Sequence, residues 1–448
     1  MFIKNVFYTF STELLTVASN FLVGVVLARS LSPFERGVMA LMMTLPWTAV
    51  SLVSLGLPQA NIYMIGRKRS DSRSVLGNTL ALALILGLMS VIVLSLLKSW
   101  LFQTVLQDVP PRLWLALIVL TPAILVDVMS VSFLCARQRF DLFNLRRAVL
   151  PVLLLVGLVV GLPIAGGDLT TAVWIYFGVV VLTMLFSLFL ASRESRLAVR
   201  FDLDLTKESL RFGSKSYLHD LVGNLNYRVD AYIIASLLSA RQVAFYGVAT
   251  SVAEVAWYIP NSVGTVLFPR LTNAPLQKIH QITARVCRNT LILTGLVVLG
   301  LLALGWLLVP LVYGSPYQAS VPPLLVLLPG VTTMVIYKVL TRDFNSRNQQ
   351  QIPILAAGIA LTLNVSLDFL LIGRLGVTGA AIASTTGYTA AGVVLLVFFL
   401  RRSKLPWQDA LLPRFDELVG HLRWARSGLP APLRRNKTRA DLQQDASS

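Results

Sequence analysis

The sequence predicts an all-α polytopic membrane protein, with about twelve transmembrane helices in two six-helix bundles. Three observations carry this. Of 448 residues, 55% are hydrophobic and only 13% are charged, where a soluble globular chain carries roughly a quarter. Apolar runs of about 18–25 residues recur along the chain, each long enough to cross a hydrocarbon core of about 30 Å. Finally, a turn is repeated. "LARSLSPFERGVMAL" (27–41) and "IASLLSARQVAFYGVAT" (234–250) both read as a small residue, Leu-Ser, a short polar turn, then a Gly opening the next apolar helix. "LIGRLGVTGAAIAS" (371–384) is a shorter echo.

The spans fall at roughly 6–28, 38–62, 76–97, 113–134, 148–165, 172–191, 217–239, 246–268, 289–313, 321–343, 352–372 and 378–400. The first begins almost at Met1 and carries Glu13, which reads as a retained span rather than a cleaved leader. The expected organisation is a first bundle over 1–192, a linker over 193–216, a second bundle over 217–402 and a tail over 403–448. In the tail, "WQDALLPRFDELVGHLRWAR" (407–426) has the spacing of an amphipathic helix lying on a membrane surface, and the basic, polar end reads as disordered.

A net charge of +18 resembles a nucleic-acid signal, but its placement excludes that class. Of the 39 Lys and Arg, about 30 lie in the loops after even-numbered spans, with Arg347, and at the termini, against about 6 on the opposite side: Arg29, Arg36, Lys98, Arg112, Arg241 and Arg374. That asymmetry predicts a multi-pass protein with both termini in the cytoplasm. Cys135 and Cys287 fall at helix ends on that side and read as free, reduced thiols.

The chemistry lies in polar residues inside the spans. In "HDLVGNLNYRVDAYIIASLLS" (219–239), Asp220, Asn224, Tyr227 and Arg228 share one stripe of a helix, while His219, Gly223, Asn226 and Asp230 form an adjoining one. A lone charge at the bilayer centre costs about 2.5–3.5 kcal/mol even on the lenient insertion scale. Arg228, Asp230 and Glu254 must therefore face a cavity or pair. The other candidates are Glu13 and Asn20 on span one, Asp127 on span four, Asn261 on span eight, Lys338 and Arg342 with Asp343 on span ten, and Asn364 and Asp368 on span eleven. The bland reading of any one Asn or Thr is glue between helices. Pro46, Pro58, Pro122, Pro260 and Pro329 fall inside spans, where each removes a backbone hydrogen bond and marks a kink.

No G-x-x-x-x-G-K-[ST] phosphate loop, H-E-x-x-H pair or Cys cluster is present, and there are only three His. No cofactor and no metal are expected. Two similar six-helix halves suit a secondary transporter with its site between them.

At this point the chain resembles a known group. "LARSLSPFERG", "NYRVDAYIIASLLSARQVAFYGVATSVAEVAWYIPNSVGTVLFPRLTN" (226–273) and "LLVLLPGV…LNVSLDFLLIGRLGVTGAAIAST" (324–385) are similar to the polysaccharide-transport branch of the multidrug/oligosaccharidyl-lipid/polysaccharide exporter superfamily. The resemblance implies a V-shaped pair of bundles. It also implies a flippase, not an enzyme, that moves polyprenyl-diphosphate-linked oligosaccharide repeat units by alternating access, for O-antigen, capsule or exopolysaccharide. It implies partnership with membrane lipid, with glycosyltransferases and with a polysaccharide polymerase. Arg228, with Lys338 and Arg342, matches the cavity cations thought to hold the diphosphate.

One departure stands against that. Acidic residues within the spans (Glu13, Asp127, Asp220, Asp230, Glu254, Asp343, Asp368) outnumber the basic ones. Either they pair with the cations, or some bind the H+ or Na+ that drives the cycle. The second option keeps a cation-coupled multidrug exporter of the same superfamily as the alternative. A lipid II flippase and a membrane glycosyltransferase are further options.

Overall fold

The computed structural model describes residues 2–66, 71–195, 199–272 and 275–412. Among these the chain is helical, with no strand. The first bundle comprises α1 (Phe2–Ser30), α2 (Pro33–Val53), α3 (Leu57–Gly66), α4 (Ser72–Leu96), the short α5 (Lys98–Gln103), α6 (Trp114–Ala136), α7 (Phe140–Val159) and α8 (Leu169–Glu194). The second comprises α9 (Leu203–Leu237), α10 (Ala240–Ala253), α11 (Tyr258–Thr272), α12 (Leu276–Tyr313), α13 (Val321–Ser346), α14 (Gln351–Leu375) and α15 (Val377–Ser403). A last short helix, α16, spans Trp407–Leu411. The rest of the expected amphipathic helix and the polar end lie outside the described residues.

Ten helices among the described residues are long and apolar enough to cross a membrane. The other two rods are α9 and the broken pair α10–α11. Both are made polar by the residues that drew attention in the sequence. The protein is therefore a multi-pass membrane protein. We call the end of the bundles that carries the start of α1 the near face, and the end that carries the α1–α2 turn the far face.

The second rod of each bundle is interrupted at the same place. In the first, the ladder stops at Ser54–Gly56, just before Pro58. In the second, a 3-10 turn over Glu254–Trp257 stands just before Pro260. The repeated turn of the sequence thus belongs to a larger repeat that includes its break. At the first break Gly56 has φ +73°, which favours glycine, and its backbone abuts the backbone of Gly213 on α9.

Several expected loops are mostly helix. The stretch 193–216 is largely the opening of α9, whose first turn is capped by the Asp202 carboxylate accepting from the amides of Asp204 and Leu205. Residues 140–147 already belong to α7, and 269–272 and 276–288 belong to α11 and α12. Apolarity marks where lipid begins, whereas a polar helix end in water remains helical.

Candidate functional site

α9 carries two polar stripes, and the structure sends them to different places. Asp220, Asn224 and Arg228 are exposed, while Asn226 and Asp230 are buried. The exposed stripe faces the first bundle along α2 and α3. Asn224 donates to Ser51 at 3.3 Å, Gln59 donates to Asp220 at 2.5 Å, and the hydroxyls of Tyr232 and Thr48 are 2.5 Å apart. Arg228 belongs to this stripe and makes no hydrogen bond or ion pair among the described residues. A guanidinium turned to lipid would cost several kcal/mol, so the space it faces holds water.

Two more cations stand near it on α13. Lys338 donates to Asn261 at 3.2 Å and sits over the rings of Trp257 (4.6 Å) and Tyr227 (5.6 Å). One turn on, Arg342 lies against Gly264 of α11, where an added Cβ would stand 2.9 Å from its Nε. Glycine there gives the guanidinium its room. Neither cation has a carboxylate ion pair among the described residues. Glu254, at the α10–α11 break, is the acid whose field reaches both Arg228 and Lys338.

The other expected acids are accounted for elsewhere. Asp127 is buried inside the first bundle, bound in a two-pronged contact by Arg146 and accepting from Ser187 at 2.5 Å. It is not on the wall of the central space. Glu13 is exposed and pairs with Arg147 at 2.7 Å, and Asn20 beside it on α1 is exposed. Asp343 is fully buried on the side of α13 away from Lys338, held by Arg347, with the His280 Nδ1 at 4.0 Å. Three of the seven acids within the spans, Glu13, Asp127 and Asp343, are thus paired with arginines. That leaves Arg228, Lys338 and Arg342 grouped about Glu254, with Asp220 two turns away on the stripe of Arg228.

Asp230 does not pair with Arg228. It points into the second bundle, where its Oδ2 accepts from Ser384 at 2.5 Å and from the Tyr246 hydroxyl. Asn364 donates to the same Ser384 at 3.3 Å. Asp368 completes the group, fully buried, with neither carboxylate oxygen hydrogen-bonded and within the field of Asp230. Two buried carboxylates this close cannot both stay charged without a proton or a cation between them.

Sequence reasoning missed Arg146 and Arg147, which were counted as loop residues. It also missed Tyr246 and Ser384. The spacing of Arg146 inside an early turn of α7 was the available signal. Nothing in the sequence marked Ser384.

The geometry is that of a two-bundle membrane carrier with a polar, cationic space between its halves. The profile of the family described as polysaccharide biosynthesis protein matches residues 2–275, more than half of the chain, and the chain belongs to that family. It is 24% identical over 176 residues to a Haloferax volcanii protein described as a low-salt glycan biosynthesis flippase. It is 23% identical over 209 residues to a Shigella flexneri protein described as an O-antigen transporter. These matches cover 38% and 45% of this chain, and 37% and 49% of those relatives. Among solved structures, the chain is similar to the lipid II flippase MurJ in an inward closed conformation (TM-score 0.75, 16% identity, 96% of this chain and 93% of that one). It is also similar to an inward-facing multidrug resistance MATE family transporter (TM-score 0.74, 16% identity, 87% and 94%). These last two likenesses establish the fold.

Proposed function

We propose that the protein is a flippase that carries polyprenyl-diphosphate-linked oligosaccharide repeat units across the bacterial plasma membrane by alternating access. The near face, which carries the start of α1 and the end of α15, is the cytoplasmic one in this reading, which the distribution of Lys and Arg supports. One observation carries this reading: Arg228, Lys338 and Arg342 are grouped without carboxylate ion pairs among the described residues, Arg228 on the stripe of α9 that meets the first bundle. A diphosphate accepts charge-assisted hydrogen bonds from such a set. A hydrophobic cation would meet three like charges there, which weighs against the multidrug alternative.

In this reading the diphosphate enters from the near face and is taken by Arg228 and the two α13 cations. The sugars follow into the wet space lined by Asn224, Asn261, Asn20 and the tyrosine hydroxyls, while the prenyl chain stays in lipid. The sugar head cannot cross about 30 Å of hydrocarbon unaided. The group of Asp230, Asp368, Asn364, Ser384 and Tyr246 is the coupling site, taking H+ or Na+. Filling it removes the repulsion between two buried carboxylates on α9 and α14, and so changes how those helices pack. Glycosyltransferases supply the substrate and a polymerase consumes it.

The test compares a deletion strain with its parent. Accumulation of lipid-diphosphate-linked repeat units on the cytoplasmic leaflet, with loss of surface polysaccharide, is the expected result. Unchanged lipid-linked pools together with greater sensitivity to cationic dyes would favour the multidrug exporter instead.

A further inference from the structure

At the far face, side chains of the first bundle cap helix ends of the second. The guanidinium of Arg29 donates to the carbonyls of Val312 (3.0 Å) and Leu311, in the last turn of α12. Gln107 donates to the carbonyl of Ala235 at 2.8 Å, in the last turn of α9. The carboxylate of Asp108 accepts from the amide of Ala240 at 2.6 Å, the first residue of α10. The chain's own N-cap there, Ser239, makes no side-chain cap bond, so Asp108 supplies the cap from the other bundle. Helix ends leave such groups unsatisfied, with fields that favour a cation at the C-terminus and an anion at the N-terminus. All three contacts have the right sign.

Arg36 is different. It is 8% exposed, and its Nη1 has no hydrogen-bond partner. Its guanidinium lies between the rings of Tyr313 (5.3 Å) and Tyr317 (5.0 Å) of the second bundle. The adjacent carboxylate, Glu35, is occupied in the capping box with Ser32. A buried charge without a counter-ion is unfavourable by more than two ring contacts return. When the far ends separate, water rehydrates Arg36. It also replaces the three caps in part, because those ends are then solvated, so the caps favour the closed face by a modest margin.

We propose that these contacts form a latch closing the far face, in which Arg29, Gln107 and Asp108 hold it shut and Arg36 drives it open. The latch thus contains its own opposing element, and the carrier can alternate without one state trapping it. The proposal rests on the carrier reading above, but not on the identity of the substrate.

The experiment measures distances between spin labels at Gln103 and Gln318, both exposed at the far face, in protein reconstituted without substrate. Cys135 and Cys287 are replaced by Ala beforehand. Arg36→Met, which keeps the packing and removes the charge, shifts the population toward the short distance by about fivefold or more. Asp108→Ala and Arg29→Ala shift it toward the long distance by about threefold or more. Opposite signs from neighbouring residues are the signature. Arg36→Gln gives the same reading should Arg36→Met be poorly produced. A shift toward the long distance in the Arg36 variants, or no shift, overturns the role of Arg36. An unmoved distribution in both Asp108→Ala and Arg29→Ala overturns the latch. Because no substrate is present, failure here leaves the flippase assignment standing, and failure of that assignment leaves these populations unchanged.

Discussion

Arg228 and Asp230 stand two positions apart on α9 and face different interiors. Two helical steps turn the second side chain about 200° from the first. Arg228 projects into the space between the bundles, while Asp230 is enclosed by Tyr246 and Ser384 within the second bundle. One helix thus presents a cation towards the first bundle and an acid to the interior of the second, less than a turn apart. Each group can be altered without removing the other.

Arg228→Ala is expected to reduce transport by at least tenfold with normal insertion. Arg228→Lys should retain a measurable part, since the charge remains but the two-pronged donor is lost. Surface polysaccharide, normalised to membrane protein level, is the measurement. Full activity in Arg228→Ala would remove this residue from the site.

Asp230→Asn and Asp368→Asn are expected to abolish the dependence of transport on an imposed ion gradient. Both variants should remain folded, because the amides can still hydrogen-bond. Transport into proteoliposomes with and without a proton or Na+ gradient reads this directly. Gradient dependence unchanged in both variants would refute the coupling role.

Asp127 and Arg146 form a buried pair, and removing one partner leaves an uncompensated charge, at about 3–5 kcal/mol. Asp127→Ala or Arg146→Ala should therefore lower the melting temperature of purified protein sharply. The double variant should lose less than the two single losses combined. Strict additivity would show that the two residues do not interact.

Gly56→Ala is expected to destabilise by about 2 kcal/mol or more, from the left-handed backbone together with the closeness of the Gly213 carbonyl. Gly247→Ala serves as the control. Nothing lies within 4 Å of its added Cβ, and it stands inside α10. That substitution should be neutral or slightly stabilising. Thermal unfolding of the two variants side by side separates the backbone effect from any general sensitivity.

Much of the architecture was legible because lipid imposes a simple code. Runs of apolar residues gave the rods, and the repeat of "LARSLSPFERG" in "IASLLSARQVAFYG" gave the two halves. The wheel of 219–239 separated the stripe of Arg228 from that of Asp230. What stayed hidden was pairing across helices. Asp127 read as a cavity candidate because its partner, Arg146, sits 19 residues away in a stretch whose charges looked like a loop. Arg36 read as one more residue of the sparsely charged side, yet Tyr313 and Tyr317, nearly 300 positions on, enclose it. Helical spacing reports on one helix at a time, and partners chosen by tertiary packing leave no mark in it.

Arg228, Lys338 and Arg342 all stand on α9 and α13, in the second bundle. The deep charged pairs of the first bundle, Asp127 with Arg146 and Glu13 with Arg147, cancel one another, and its unpaired Arg36 lies at the far face. The two halves are thus unequal in electrical work: one is a carriage and the other a rail. In the proposed reading, an anionic cargo gripped from one side never has to be handed across, so each stroke translates it with the second bundle past a wall whose deep acids are already paired.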